Sequence, residues 1–444
     1  MTADPAVVVL SAGSVSPRYP LDESVAAIGQ LGAERAAALY RRHKVRVLAA
    51  ERLGERTGSA AVRDCLARLR PDLDKLARSR AQLPLTLGVV RSAGEELGVP
   101  VGVIKGVAAR EWYDDPTWRD FGDLDLHVRS WSDARRLAGR LRSRDGFVLG
   151  RRELPWLKRD ATSGALYGQI LLTDPETGHL GVDIHFGAYS VRHCTHLPIA
   201  VPPEPGVHLI TGADNVAAVV NNAAGDHFAS MKDVNDLIMA ARRSQDAVRR
   251  GAAIAQRAEL GGFLAILVRL LAATSAVGEL RSVFAPLLAG APAEPVPPLP
   301  EPSWTRRWTA VWLHAFRVGR RTSVAEGVRL AASAVRYYRQ RLSLAIVADG
   351  APEPLALNEH TCVRLVPLEL LEARDDAGDL SGGPAGGGAG PPRRIDDELE
   401  VVPTAAGDVV RVGPEVFVPT VFYRVPRALV RSALAVRAAA APDG

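Results

Sequence analysis

Two carboxylates stand two residues apart in the run Gly122-Asp123-Leu124-Asp125-Leu126-His127-Val128. On a strand, alternate side chains share a face, so Asp123 and Asp125 project together while Leu124 and Leu126 turn inward. Like charges a few ångströms apart raise each other's pKa unless a cation lies between them. A magnesium ion relieves that repulsion with hard oxygen ligands and keeps open positions for phosphate oxygens. A second alternating stretch, Val182-Asp183-Ile184-His185-Phe186, offers a third carboxylate. Three such groups drawn from two strands make a cage for one or two Mg2+ ions, the arrangement that serves phosphoryl transfer. Asp-x-Asp on an alternating strand is equally a solvated face of a half-buried sheet, and its spacing alone is a weak signal. The order of motifs tips the balance: Ile104-Lys105-Gly106, Tyr113-Asp114-Asp115-Pro116, Arg119, the Asp pair, then Asp183-x-His185.

Neighbouring residues carry two readings each. Arg119, four residues before the first Asp, is placed to clamp a phosphate, although arginines in so arginine-rich a chain also serve as solvated surface. His185 shares a strand face with Asp183, where it orients that carboxylate from behind or takes a proton from an acceptor hydroxyl. His127 points with the Asp pair on a regular strand. Asp226, His227 and Asp236 are candidates to line the cleft from a helical side, or simply face water. Trp112, Trp118 and Tyr189 offer stacking surfaces for a base, or fill core. The Trp304, Trp308, Trp312 stripe among arginines reads as a packed amphipathic helix, with an acidic partner or a membrane surface as the alternative.

Taken together these motifs resemble the uncharacterised nucleotidyltransferase family of the DNA polymerase beta-type nucleotidyltransferase superfamily. The resemblance spans residues 39 to about 245. It starts at Leu39-Tyr40-Arg41-Arg42-His43-Lys44-Val45 and runs through Lys105-Gly106, the Asp pair and Val182-Asp183-Ile184-His185. It ends in Ala223-Ala224-Gly225-Asp226-His227 and Lys232-Asp233-Val234-Asn235-Asp236-Leu237. It implies that Asp123, Asp125 and Asp183 are catalytic metal ligands for Mg2+, with an NTP such as ATP as co-substrate. Lys105-Gly106 stands where the superfamily usually has Gly-Ser. Gly106 then lets the backbone approach the nucleotide phosphates, and Lys105 adds a cation beside three carboxylates. The implied activity is transfer of a nucleoside monophosphate to a small-molecule, peptide or protein acceptor with release of pyrophosphate. The alternative is a non-catalytic scaffold or binding protein that keeps the fold.

The elements that must position these groups follow from pattern. Apolar residues at three- and four-residue intervals from Asp22 to Leu97 predict several helices, broken at Gly54 and Pro71, behind an extended arm over residues 1–20. Strands are expected at 99–104, 121–128, 147–149, 164–173 and 179–185, with a helix over 107–113 and one over 132–144 capped by Ser132. Helices return over 213–222, 230–243 and 246–271. The expected fold is α+β, a polymerase-beta-type mixed sheet with flanking helical segments and a small C-terminal β-rich region. The expected divisions are residues 1–98 (arm and helices), 99–200 (catalytic core), 201–290 (helices completing the cleft), 291–302 (Pro-rich linker), 303–350 (helical) and 351–444 (β-rich, with a disordered Gly-rich insert at 375–392).

Composition narrows the class. The 444 residues are 47% hydrophobic and 24% charged, enough to bury a large core. A net charge of +5 arises from 55 basic against 50 acidic groups, close to balance, so nucleic acid is a disfavoured partner. Lysine occurs only at Lys44, Lys75, Lys105, Lys158 and Lys232. Cys65, Cys194 and Cys362 are three thiols with no zinc or disulfide spacing. With no signal-peptide pattern, and an apolar stretch at 261–273 too short to span a bilayer, the expectation is a cytoplasmic protein without a transmembrane segment.

Overall fold

In this computed structural model the described residues are 3–150, 154–176, 178–190, 196–226, 228–258, 260–276, 278–289, 324, 328, 344–348, 355, 357–359, 362–374, 390–395, 399–421 and 423–440. They fall into two compact units. Residues 1–129, 136–148 and 172–304 form the first, and residues 130–135, 149–171 and 305–444 the second. The Pro-rich stretch 291–302, the Trp304, Trp308, Trp312 stripe, nearly all of the insert 375–392, Cys194 and His227 lie outside the described residues.

The first unit begins in helix. In place of an extended arm, Asp4 caps α1 (Pro5–Ser11), its carboxylate accepting from the Ala6 N–H, and Val8, Val9 and Leu10 are buried. Asp at the cap and Pro at the first turn are strong local start signals. Seven residues are too few for periodicity to reveal the helix. α2 (Leu21–Leu31), α3 (Ala33–Arg42) and α4 (Arg46–Gly54) follow. Then α5 runs unbroken from Ala60 to Leu97, through Pro71 and Pro84. Both prolines face solvent, while Leu69, Leu76, Leu83 and Val90 make a buried stripe at seven-residue intervals. Packing of that stripe outweighs the roughly 3 kcal/mol that each interior proline costs.

Along the chain come β1 (Pro100–Val103), α6 (Lys105–Ala109), β2 (Asp123–Val128) and α7 (Trp131–Asp145). The strands β3 (Val148–Leu149), β4 (Trp156–Arg159), β5 (Leu166–Thr173), β6 (Gly181–Phe186), β7 (Tyr189–Ser190), β8 (His196–Leu197) and β9 (Gly206–Leu209) follow. The cap of α7 is Ser130 rather than Ser132: its hydroxyl accepts from the Asp133 N–H at 3.1 Å. In the first unit β6, β2, β1 and β9 lie side by side. β2 is parallel to β6 and antiparallel to β1, which is parallel to β9, so the sheet is mixed. Helices α8 (Ala213–Gly225), α9 (Met231–Arg243), α10 (Gln245–Arg257), α11 (Gly261–Thr274) and α12 (Arg281–Ala289) complete this unit. α9 carries a reciprocal capping box between Ser230 and Asp233.

In the second unit, β10 (Ala345–Val347) runs parallel to a strand at Arg424–Pro426, and β4 pairs antiparallel with β5 and with β11 (Val363–Pro367). β12 (Arg393–Arg394), β13 (Leu399–Thr404), β14 (Gly407–Val412) and β15 (Glu415–Thr420) extend this sheet from the other side of β11. Between Val363 and Glu372 the expected β stretch is a strand followed by a short helix, Leu368–Glu372. Leu429, Val430 and Ala433 of the helix Arg427–Ala440 pack with Val409, Val416 and Val418. The architecture is α+β, as expected. The expected division at residues 99–200 differs from the observed units, because 149–171 belongs with the C-terminal strands. Among the described residues, no helix is long and apolar enough to cross a membrane.

Candidate active site

Parallel pairing of β2 and β6 sets the site. Asp125 sits opposite Asp183, His127 opposite His185, and Asp123 opposite Gly181. The alternation that buries Leu124, Leu126, Val182 and Ile184 thereby brings carboxylates from two strands together. Donor atoms of Asp125, Asp183 and His185 all lie within 4.8 Å of one another. His185 Nε2 is 3.5 Å from Asp125 Oδ1, so this imidazole is a member of the cluster and not only a support behind it. Asp123 is the exposed member of the strand and lines a cavity of about 290 Å3 together with Asp125, Lys105, Gly106, Arg119 and Phe121. That volume is near the lower end of ligand clefts, roughly 300–1,000 Å3.

The electrostatics match a crowded acidic cluster. The charge of Asp125 raises the Asp123 carboxyl above its ordinary value, and the enclosing walls add to the effect. Burial pushes the Asp125 carboxyl upward, but Lys105 and His185 outweigh it and hold Asp125 well below the usual carboxylate range. The Lys105 ammonium forms an ion pair with Asp125 Oδ1. Burial opposes its charge, yet the surrounding carboxylates, Asp125 foremost, raise it well above the ordinary lysine value. Lys105 also lies over the Tyr189 ring at 5.3 Å, and Tyr189 in turn meets His185 edge-on at 4.9 Å. His127 is buried, and burial followed by the His185 charge lowers its pKa to about 3. It is a neutral core imidazole.

The bend between β1 and α6 differs from expectation in which residue carries it. Lys105, not Gly106, has the left-handed backbone, with φ 52°. Its N–H donates to Asn215 Oδ1 of α8 at 2.5 Å, which fixes the turn. A Cβ at Gly106 would meet Arg119 Nη1 and the Phe121 Cβ at 3.5 Å, ordinary contact. Gly106 does line the cavity, but no close approach there requires a glycine.

Arg119 also lines the cavity, yet its guanidinium is already engaged. Nε and Nη2 reach the two oxygens of Asp236 at 2.7 and 2.8 Å, and Nη1 donates to the Asp120 carbonyl. Asp236, fully buried on α9, accepts a third bond from the Tyr113 hydroxyl at 2.8 Å. The expected phosphate clamp is therefore a buried strut joining the turn before β2 to α9. Trp112 is buried with its Nε1 donating to the Thr211 carbonyl, Trp118 donates to Glu51, and Tyr189 is buried beneath Lys105. The aromatic ring on the cavity wall is Phe121, which the motif reading did not single out.

Three further lysines went unassigned in the sequence reading. Lys44, Lys75 and Lys232 line the same cavity, from the end of α3, from α5 and from α9. Their rarity among basic residues was the available signal. Asp226 lies 3.9 Å from Lys44 across an exposed gap.

The mixed sheet thus sets paired acidic strands beside a cavity lined by lysines, arginines and aspartates. Residues 30–277, more than half of the chain, match a family described as uncharacterised nucleotidyltransferase, and the chain belongs to that family. No curated protein matches it.

Proposed function

We propose that this chain is a Mg2+-dependent nucleotidyltransferase that moves a nucleoside monophosphate from an NTP to a small-molecule, peptide or protein acceptor. The observation that carries this reading is the in-register pairing of Asp125 with Asp183, with Asp123 beside them at a cavity wall. The donor set fits a hard cation: the clustered Asp125, Asp183 and His185, with Asp123 nearby on the cavity wall, match Mg2+ or Mn2+ better than a thiophilic ion. Lys105 pairs with Asp125, and a divalent ion would offset the negative charge of the neighbouring carboxylates. When bound, such an ion neutralises phosphate charge and orients the triphosphate.

The chain's own residues do the rest. Asp123, Asp125 and Asp183 would hold the ion, and His185 steadies Asp125. The Lys105 ammonium offsets charge next to the reacting phosphate. An acceptor oxygen or nitrogen bonds to the α-phosphorus, the bridge between α- and β-phosphates breaks, and pyrophosphate leaves. The acceptor's proton passes to Asp183, the half-buried carboxylate of the cluster. Positioning and charge neutralisation supply most of the acceleration.

One observation favours a second reading, a nucleotide-binding scaffold without turnover: Lys105 already neutralises Asp125. A single experiment separates the two. ATP and Mg2+ added together should raise the melting temperature more than either alone, and label from α-32P ATP should reach an acceptor in a lysate fraction. Asp123→Asn with Asp125→Asn should abolish both effects. Intact transfer in the double variant would refute the proposal, and nucleotide binding without any labelled acceptor would support the scaffold.

A further inference from the structure

Among the described residues, Lys44, Lys105 and Tyr423 have a left-handed backbone without being glycine. Tyr423 lies in the second unit. At Lys44 the end of α3 accounts for the geometry: the Lys44 N–H donates to the Arg41 carbonyl at 3.2 Å and the Val45 N–H to the Tyr40 carbonyl at 3.1 Å, the two bonds that close a helix through a left-handed residue. No helix ends at Lys105. It stands at the bend between β1 and α6, where a residue with a side chain is strained at φ 52° and glycine would not be.

One side chain holds it there. Asn215, fully buried on the first turn of α8, accepts the Lys105 N–H on its Oδ1 at 2.5 Å. A backbone N–H can only donate, so the amide oxygen must face it, and Nδ2 then lies 3.5 Å from the Lys105 carbonyl oxygen. A single amide therefore brackets both backbone polar groups of one residue. The net worth of a buried hydrogen bond and the strain of one left-handed residue are of similar size, so this bracket suffices to keep the turn. On the preceding side, the Ile104 N–H donates to the backbone carbonyl of Asp125 at 3.0 Å. The turn is thus tied to β2 and to α8, while the Lys105 ammonium pairs with the Asp125 carboxylate. Asn215, Val219 and Asn222 follow one another at helical spacing on α8, and the latter two line the cavity, so the brace is carried by the cavity's own wall.

We infer that Asn215 is a positioning residue for nucleotidyl transfer: it locks the left-handed turn that aims the Lys105 ammonium at Asp125. This rests on the nucleotidyltransferase reading for the use made of that ammonium. The aiming itself does not depend on it.

The test is a double-variant cycle on the full chain, Asn215→Leu with Lys105→Met, read by urea unfolding. Lys105→Met removes the ammonium but keeps the backbone groups that Asn215 binds. Asn215→Leu should lower the folding equilibrium constant about tenfold more in the lysine background than in the methionine background, because only there does it also loosen the ion pair. Losses equal within about twofold in the two backgrounds would mark a brace of the backbone alone and overturn the inference, even if labelled transfer is robust. Asn215→Ala runs the same cycle if the leucine variant does not fold. In a protein that transfers label, Asn215→Leu should lower kcat about tenfold and leave the KM for ATP within about twofold, and an unchanged kcat would also overturn the positioning role. Coupling in the unfolding cycle of a protein that never transfers label would uphold the aiming of Lys105 while the enzymatic reading fails.

Discussion

Removing the Arg119 guanidinium tests whether this residue is a strut or a phosphate ligand. Arg119 and Asp236 are 4% and 0% exposed at their side chains, and two parallel hydrogen bonds join them. Arg119→Met keeps most of the stem's volume but leaves Asp236 ionised and buried, with Tyr113 as its remaining partner. Breaking a buried pair from one side costs about 3–5 kcal/mol. Replacing both partners, as Arg119→Met with Asp236→Leu, removes the stranded charge and leaves only neutral groups, the Tyr113 hydroxyl and the Asp120 carbonyl, without these partners, at about 1–3 kcal/mol for the hydroxyl. The double variant should therefore be more stable than Arg119→Met alone. Urea unfolding read by linear extrapolation measures all the variants, and the departure from additivity should exceed about 1.5 kcal/mol. A single variant that loses under about 1 kcal/mol while ATP affinity collapses would refute the strut and restore the phosphate clamp.

Two further predictions address the helical part of the first unit. His43 Nδ1 accepts from the Met231 N–H at 3.0 Å, and burial, followed by the Arg42 charge, lowers its pKa to about 3. The unfolded chain binds a proton below about 6.5 that the folded chain refuses, so stability is full above that pH and declines by up to about 1.4 kcal/mol per unit toward pH 3. His43→Asn should flatten this share of the slope between pH 6.5 and 5, and an unchanged slope in pH-dependent unfolding would count against it. At Gly251, a Cβ would fall 2.6 Å from Val216 Cβ and 2.8 Å from the Ala213 carbonyl oxygen. Gly251→Ala should then cost about 1–3 kcal/mol by prising α8 from α10, and a neutral result in thermal unfolding would show that the helices part freely.

What the chain disclosed before folding was its local patterning. Period-two alternation in Asp123–Val128 and Gly181–Phe186 located both acidic strands, since inward Leu, Val and Ile fix which way each Asp points. The helix expected over 230–243 was equally local, and α9 spans Met231–Arg243. Hidden were contacts between residues far apart in sequence. Nothing near Arg119 announces Asp236 on α9, and although the resemblance implies Lys105 beside the carboxylates, nothing near Asp125 announces their direct ion pair. The prolines of α5 misled because breaker strength is a local quantity and the buried leucine stripe a tertiary one. The cavity lysines come from separate elements, so only folding gathers them.

The placement of residues 149–171 has a practical side for anyone trimming this protein. A fragment ending near residue 290 holds everything matched by the family, residues 30–277, and looks like a natural truncation. It would also discard β11, whose Val363 and Arg364 register with Leu157 and Trp156 of β4. The shortened product would leave the edge of β4 without its β11 partner, an open, adhesive margin and a recipe for inclusion bodies.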